Sequence, residues 1–389
     1  MESRVFADDH NDQTQDFGYG LAGRLELDDS LDDMQSRMQV FARVDKEDPH
    51  RQRLNIEELY GQWNHGNLSL FAGFKTINWS TAEAFHPTDV INSRNFDGPF
   101  ENAEKVGELM AGFQYVSNSL NFTAFYMPLL QKPQLPTSNN RLSFSPQGFA
   151  VGAPTFVGND GEVLKSGDLV QQWATRVQAV LGDWEFNFYW VHHFDRTDFR
   201  GVFDFNRGLF VPVLNPVDHY AFAFQYVVGS LILKSENVFR DFNEQITIAD
   251  FANSIRRDDY FMSSLALEYL IGHRSGSEST VVMEFQEVYG VDDSVRYTIN
   301  PFQRDLLLGL RHAYNDIKGK EFFIGIIGDL ERSREILLTS NYSQRLSDVW
   351  KVKLSGRYID AQPTGPLDLS GMRPLNNDHQ FEIHVSRFF

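Results

Sequence analysis

The sequence has no cysteine, and it has no apolar run near the ~20 residues that a membrane-spanning helix needs. Structural disulfides, thiolate zinc sites, iron–sulfur clusters and CxxCH haem attachment are therefore excluded. Basic residues are also scarce, since 35 Lys and Arg stand against 53 Asp and Glu, for a formal net charge of -18. Because phosphate binding needs clustered Lys and Arg, we expect no nucleic-acid partner.

Aromatic residues are abundant instead, with 34 Phe, 14 Tyr and 6 Trp, and many recur at every second position. In the stretch WEFNFYW, the Trp and Phe side chains share one face, and Glu185, Asn187 and Tyr189 share the other. Such segments run about ten residues, the length that a tilted strand needs to cross hydrocarbon. They occur at 18–28, 34–45, 53–64, 67–77, 106–117, 120–128, 172–182, 184–190, 219–229, 230–239, 261–272, 280–289, 304–315, 321–330, 335–346, 349–359 and 379–389.

These segments predict a single transmembrane antiparallel β-barrel over residues 1–389. The breaks between them alternate between short turns and long loops, as they do between the periplasmic and extracellular ends of such barrels. There are 17 segments from residue 17 onward, and SRVFADD near the N-terminus offers an eighteenth. We therefore expect 16–18 strands, with 18 favoured. The alternative is a soluble β-sandwich, whose strands are usually shorter, ~5–6 residues, and which would have to bury the aromatic face.

The chain ends on the alternating stretch HQFEIHVSRFF. An open strand edge in lipid leaves backbone groups unsatisfied, so we expect this strand to pair with the first. A terminal phenylalanine, here Phe389, resembles the C-terminal signal by which the insertion machinery recognises outer-membrane barrels. This resemblance implies a bacterial outer-membrane location, with lipids and lipopolysaccharide as partners. Since no apolar signal segment follows Met1, we expect a signal peptide to have been removed.

Residues 59–128 resemble a proteobacterial outer-membrane β-barrel family catalogued mainly as a domain of unknown function. The matching positions are Gly73, Trp79, Pro87, Asp89, Asn92, Arg94, Lys105, Gly107 and Pro128. The departures from the family pattern are Lys75 for Gln, Ser80 for Gly and Ser93 for Pro. The resemblance implies a porin-like export or uptake role, with periplasmic or inner-membrane exporters as partners, and it names no substrate.

The polar face of the strands carries charges at mid-strand, and these are the candidate pore-lining residues. They are Arg24, Glu108, Arg176, Glu185, Glu268, Glu284, Arg311, Lys351, Lys353 and Arg357. Facing water, they would set a field across the lumen and impose selectivity. The cluster of Lys351, Lys353 and Arg357 on one strand would favour anions, together with Arg311 and Arg176 if the curvature of the barrel brings these two beside it. The alternative is that opposite charges pair and plug the lumen.

Two long loops are functional candidates. Segment 78–104 carries Glu83, His86, Asp89 and Arg94, and it either folds into the lumen as a constriction or stays outside as an extracellular loop. Segment 129–169 is expected to be a long extracellular loop, either a lid or a surface loop.

We expect no cofactor and no metal site. His192 and His193 are adjacent on a strand, so they point to opposite faces, and no HExxH spacing occurs. We also expect no enzyme: His384 and Ser386 share a face, but it is the lumenal face, away from lipid substrates. The sequence thus predicts a channel that conducts or exports a solute. The alternative is a non-conducting structural or assembly barrel that scaffolds a surface or electron-transfer complex.

Overall fold

Eighteen strands form one sheet. The computed structural model describes residues 1–7, 16–96, 103–136, 140–143, 149–198, 200–242, 246–248, 253–255, 257–365, 368–376 and 378–389. The strands of the sheet are β1 (Glu2–Ala7), β2 (Phe17–Leu31), β3 (Met34–Asp45), β4 (Arg53–His65), β5 (Leu68–Lys75), β6 (Glu108–Val116), β7 (Leu120–Tyr126), β8 (Trp173–Leu181), β9 (Trp184–Phe194), β10 (Pro216–Val228), β11 (Leu231–Asp241), β12 (Tyr260–Gly272), β13 (Glu278–Tyr289), β14 (Arg304–Ala313), β15 (Glu321–Asp329), β16 (Glu335–Arg345), β17 (Trp350–Ala361) and β18 (His379–Arg387).

The sheet closes into a barrel. Each strand pairs antiparallel with its neighbour in the chain, and β1 pairs with both β2 and β18. At the seam between the first and last strands, Val5 lies opposite Phe381. The predicted barrel, its favoured strand number and the pairing of the C-terminal strand are therefore confirmed. The SRVFADD stretch supplies the eighteenth strand, although β1 has only 6 residues.

The aromatic side of the strands faces outward. On β9, Trp184, Phe188 and Trp190 are 39%, 53% and 38% exposed, whereas Tyr189 between them is 6% exposed. An apolar band exposed around a closed barrel is the surface that hydrocarbon covers in a membrane barrel.

The described helical segments are short, namely α1 (Asp293–Ile299) and the 3-10 turns Pro49–Arg51 and Arg373–Leu375. No described helix has the length and apolar character needed to span a membrane.

The two ends of the barrel differ. At one end the strands meet in tight turns, and Gly66, Gly182 and Gly229 occupy left-handed turn positions with φ of 56°, 63° and 59°. Glycine fits there because it has no Cβ to clash. The long connections lie at the opposite end. Short turns of outer-membrane barrels face the periplasm, so the long connections belong to the outer side.

The long connections carry short strands of their own. These are Arg94–Asn95, Glu104–Lys105, Ala150–Val151, Thr155–Val157, Val163–Leu164, Gly201–Asp204, Leu209–Leu214, Ile246–Ile248 and Asn253–Ile255. The strands between residues 150 and 164 pair with Leu209–Leu214 or with each other. Part of the predicted 129–169 loop is thus tied to the loop after β9, while residues 137–139 and 144–148 lie outside the described part.

A β-bulge interrupts the pairing of β3 with β4 between Gln39 and Val40. The extra residue is Glu57, because Gln39 pairs with Glu58 and Val40 pairs with Ile56. With this residue inserted, both Glu57 and Glu58 reach partners on the inner face. Glu57 accepts hydrogen bonds from Arg24, with Nε at 2.7 Å, and from Gln39. Glu58 accepts one from Thr76 Oγ1 at 2.9 Å.

The described part of the connection between β5 and β6, residues 76–96 and 103–107, passes inside the wall. Its apolar side chains, including Trp79 and Ile91, pack against inner-face residues of β5–β10 in one buried cluster. The cluster comprises Phe71, Trp79, Val90, Ile91, Met110, Phe125, Met127, Ala174, Tyr189, Val191 and Ala223. The lumen beside these strands is therefore filled by apolar packing, which the charged-lumen prediction did not include.

Candidate functional site

The candidate site is the lumen around the inward segment, which we define as residues 78–104, of which 97–102 lie outside the described part. Glu236 of β11 is fully buried and holds one side of this segment. Its carboxylate accepts hydrogen bonds from Ser80 Oγ at 2.7 Å, Thr81 N at 2.8 Å and Thr88 Oγ1 at 2.7 Å. A buried carboxylate is tolerated here because several donors surround it.

Glu284 of β13 holds the tip of the inward segment. Its carboxylate accepts hydrogen bonds from Ala84 N at 2.9 Å and Phe85 N at 3.2 Å. The side chain of Glu83 forms an ion pair with Arg311 of β14. The tip is therefore fixed to the wall by both its backbone and its side chain.

Ion pairs close the base of the inward segment. Asp89 pairs with Arg94, and Lys105 Nζ lies 2.8 Å from Asp89 Oδ1 and 2.6 Å from the carbonyl oxygen of Ile77. Burial lowers the pKa of Lys105, and the carboxylate of Asp89 opposes that effect. These contacts thus tie Asp89 of the segment to Lys105, which follows the segment in the chain, and through Lys105 to Ile77, which precedes it.

His86 lies within the segment, with Nδ1 2.8 Å from Ser80 Oγ. Burial lowers the pKa of His86 to about 4, so the ring is neutral at pH 7. A neutral ring can serve as a hydrogen-bond partner of Ser80, which in turn donates to Glu236.

Arg196, on the loop after β9, joins the segment to the wall from the outer side. It is fully buried, and its Nε lies 3.2 Å from Glu108 Oε1 and 3.1 Å from Ser93 Oγ. Glu108 also accepts a hydrogen bond from Ser93 N at 3.0 Å. Glu108, predicted to line the pore, is therefore enclosed in a buried ion pair.

Two cavities flank the tip of the segment, and Ala84 lines both. The upper cavity, toward the long connections, has a volume of about 750 Å³ and is lined by His86, Asp89 and Arg94 among others. The lower cavity has a volume of about 550 Å³ and is lined by Glu83 and inner-face residues of β14–β18. The four predicted constriction residues thus line one cavity or the other.

The lower cavity brings together four of the predicted pore-lining residues, namely Arg311, Lys351, Lys353 and Arg357. Lys351 and Lys353 have no ion-pair partner among the described residues, which leaves two ammonium groups on one inner face. Strand alternation places both on the same side because they are two residues apart.

The other predicted pore-lining residues lie outside this cavity. Arg24 pairs with Glu57, Arg176 donates to Asn187 at 2.7 Å and lies 3.7 Å from Glu185, and Glu268 pairs with Lys234. Arg176 is therefore not beside the cationic cluster of β17.

One group of possible metal ligands occurs among the described residues, Glu2, Glu382 and His384, whose ligand atoms lie within 4.8 Å of one another. Glu2 already pairs with Arg51 at 2.6 Å and Arg43 at 3.3 Å. These guanidinium groups neutralise the carboxylate and would repel a cation, so ion pairing explains the group. His384 Nε2 lies 2.9 Å from Glu382.

Solved structures share this architecture. One is Wzi, an outer membrane protein involved in group 1 capsule assembly in Escherichia coli and a carbohydrate-binding β-barrel. Its TM-score is 0.54 at 10% sequence identity, and the match covers 100% of this chain and 83% of Wzi. OccAB3 of Acinetobacter baumannii gives a TM-score of 0.50 at 11% identity, covering 100% of this chain and 98% of OccAB3. OccK11 of Pseudomonas aeruginosa gives a TM-score of 0.50 at 9% identity, covering 100% of this chain and 93% of OccK11.

The fold is that of a bacterial outer-membrane β-barrel. At these identities the likeness shows the fold alone. No family model matches the chain, and no curated protein matches it. The resemblance of residues 59–128 to a family of unknown function therefore stays a prediction.

Sequence reasoning missed two features of the site. In the sequence, Glu236 is one of several charged residues on the inner faces of the strands. Nothing in the neighbouring sequence identifies it as the hydrogen-bond acceptor of the inward segment. The aromatic and arginine residues of the upper cavity come from four separate connections and from one strand of the wall, so no local pattern groups them.

Proposed function

We propose that the protein is a channel that passes small anionic solutes through the lower cavity, with the inward segment as its constriction. The observation that supports this proposal is the pair Lys351 and Lys353, whose charges have no ion-pair partner in the described part of the chain. A charge facing water in a narrow lumen attracts counter-ions and raises their local concentration.

Conductance in planar bilayers tests this proposal. We expect the purified protein to give steady currents, with a reversal potential in a KCl gradient that indicates a preference for chloride. The double variant Lys351→Gln and Lys353→Gln should reduce or reverse that preference, because two of the cavity's positive charges are lost. Lys318→Gln is the matched control, since Lys318 is exposed in the turn between β14 and β15. Equal selectivity of the double variant and the control would refute the role of the two lysines.

A second candidate is a non-conducting scaffold barrel. The buried cluster between the inward segment and β5–β10 favours it, because apolar packing there closes part of the lumen. Absence of current from folded, inserted protein would select the scaffold over the channel.

A further inference from the structure

The upper cavity has the size and enclosure of a small-molecule site. Its volume of about 750 Å³ lies within the roughly 300–1,000 Å³ of ligand pockets. It is built from α1, from the loops after β7 and β9, and from residues 368–371, with the tip of the inward segment as one wall. A solute arriving from the long-connection end meets this cavity before it meets the lysines of the lower one.

The walls of the upper cavity are rich in aromatic rings. They are Phe85, Phe96, Phe203, Phe210, Tyr297 and Phe302. Phe203 and Phe210 are in contact, with centroids 5.2 Å apart, and so are Phe85 and Phe302, at 5.4 Å. The lower cavity is lined mainly by charged and polar side chains instead. Phe96, Phe203 and Tyr297 are only partly buried. Apolar surface left facing water is unfavourable, so a ligand with an apolar body would gain by covering these rings.

In the same cavity the carboxylates have hydrogen-bond donors, but two of the arginine donors lack acceptors in the part of the chain that the structure describes. Its two carboxylates have their donors: Asp89 pairs with Arg94 and Lys105, and Asp368 accepts from Thr364 Oγ1 and from Arg373, each at 2.7 Å. Two donors have no acceptor among the described residues. Arg240 is 3% exposed, and no described group bonds its Nε.

The second donor is on Arg200. Its Nε and Nη2 donate to Asp198 at 3.0 Å and 2.6 Å, and Nη1 donates no hydrogen bond within the described part of the chain. A buried donor without an acceptor, such as Nε of Arg240, is unfavourable, whereas Nη1 of Arg200 is not fully buried and water can supply its acceptor. The group that would complete both arginines is an acceptor, and guanidinium binds carboxylates best.

We propose that the upper cavity binds an amphipathic anion, with its ring-bearing apolar body against the phenylalanines and its carboxylate toward Arg200 and Arg240. This site goes beyond the proposed channel, because the bound ligand makes its contacts above the tip of the inward segment. Binding therefore occurs whether or not the barrel conducts.

Calorimetry of the full chain in detergent, with micelle heats subtracted, tests this site with three probes. We expect phenylbutyrate to bind saturably. Butyrate, which lacks the ring, and phenylbutanol, which lacks the charge, should each bind about tenfold more weakly. Equal affinity for phenylbutyrate and butyrate, or no saturable binding beyond the micelle blank, would overturn the proposal.

A filling variant locates the site. Thr298 of α1 is exposed and lines the upper cavity, so Thr298→Trp should place an indole in it and abolish phenylbutyrate binding. Asp293→Trp adds the same ring to an exposed position of the same helix that does not line the cavity, and it should bind as the unmodified protein does. Unchanged binding to Thr298→Trp would place the ligand elsewhere. Heat-dependent migration in gels verifies that both variants are folded.

Discussion

At the scale of single residues, Glu236 links the inward segment to the wall through several hydrogen bonds. Its carboxylate accepts from the backbone of Thr81 and Thr88 and from the hydroxyl groups of Ser80 and Thr88. Each N–H left without an acceptor in a buried place costs about 1–3 kcal/mol. Loss of this one side chain therefore affects several donors of the segment at once.

We predict that Glu236→Ala releases the inward segment while the barrel stays folded. Hydrogen exchange of peptides covering residues 79–90 should become about 100-fold faster, since a loss of about 3 kcal/mol in docking free energy corresponds to that factor. Glu26→Ala removes an exposed glutamate of β2 and should leave the exchange unchanged. Slow exchange in Glu236→Ala would mean that the apolar cluster and the contacts to Glu284 and Arg311 hold the segment without Glu236.

Residue positions were predictable where strand alternation decides them. Lys351, Lys353 and Arg357 had to share a face because the side-chain period of a strand is two, and they do line one cavity. Alternation tells which face of the wall a side chain lies on, but it does not tell which other residues pack over that side chain. Glu108 and Glu284 were therefore placed on the inner face without any sign that the inward segment would bury them.

At the scale of elements, long alternating segments were predictable, and the irregular points were not. The bulge in β4 depends on pairing with β3, so it does not show in the alternation of β4 alone. The inward segment returns to the wall at this bulge, where Gly107 N donates to the carbonyl oxygen of Ile56 at 3.2 Å. A Cβ at position 107 would lie 2.4 Å from the carbonyl oxygen of Glu57 and 2.8 Å from that of Ile56.

We predict that Gly107→Ala destabilises the barrel by about 1–3 kcal/mol, because backbone atoms have to move to admit the methyl group. The measurement is the temperature at which the folded, fast-migrating form is lost in gel electrophoresis. Gly61→Ala is the control on β4, since a Cβ there meets no atom within 4 Å, and its effect should stay within about 0.5 kcal/mol. Similar losses in both variants would contradict the close approach at position 107.

At the scale of the whole molecule, the barrel closes at a seam between β1, the shortest strand of the wall, and β18. β1 pairs with β18 from Glu2 to Ala7, and the buried Glu2 ties it to Arg43 of β3 and to Arg51. Closure matters because an unpaired edge in hydrocarbon leaves N–H and carbonyl groups without partners. The alternating pattern predicted this closure, although six residues gave a weaker signal than the other strands did.

The absence of cysteine makes the seam directly testable. Val5 and Phe381 lie opposite each other on the outer face, and opposite Cβ atoms are about 4.5–5.5 Å apart, close to the roughly 3.5–4.5 Å of a disulfide. We predict that the double variant Val5→Cys and Phe381→Cys forms an intramolecular disulfide on mild oxidation, read as a mass loss of two hydrogens. The pair Val5→Cys and Leu338→Cys is the control, because β16 does not pair with β1. Cross-linking of the control to the same extent, or none in the seam pair, would show that the barrel does not close between these strands.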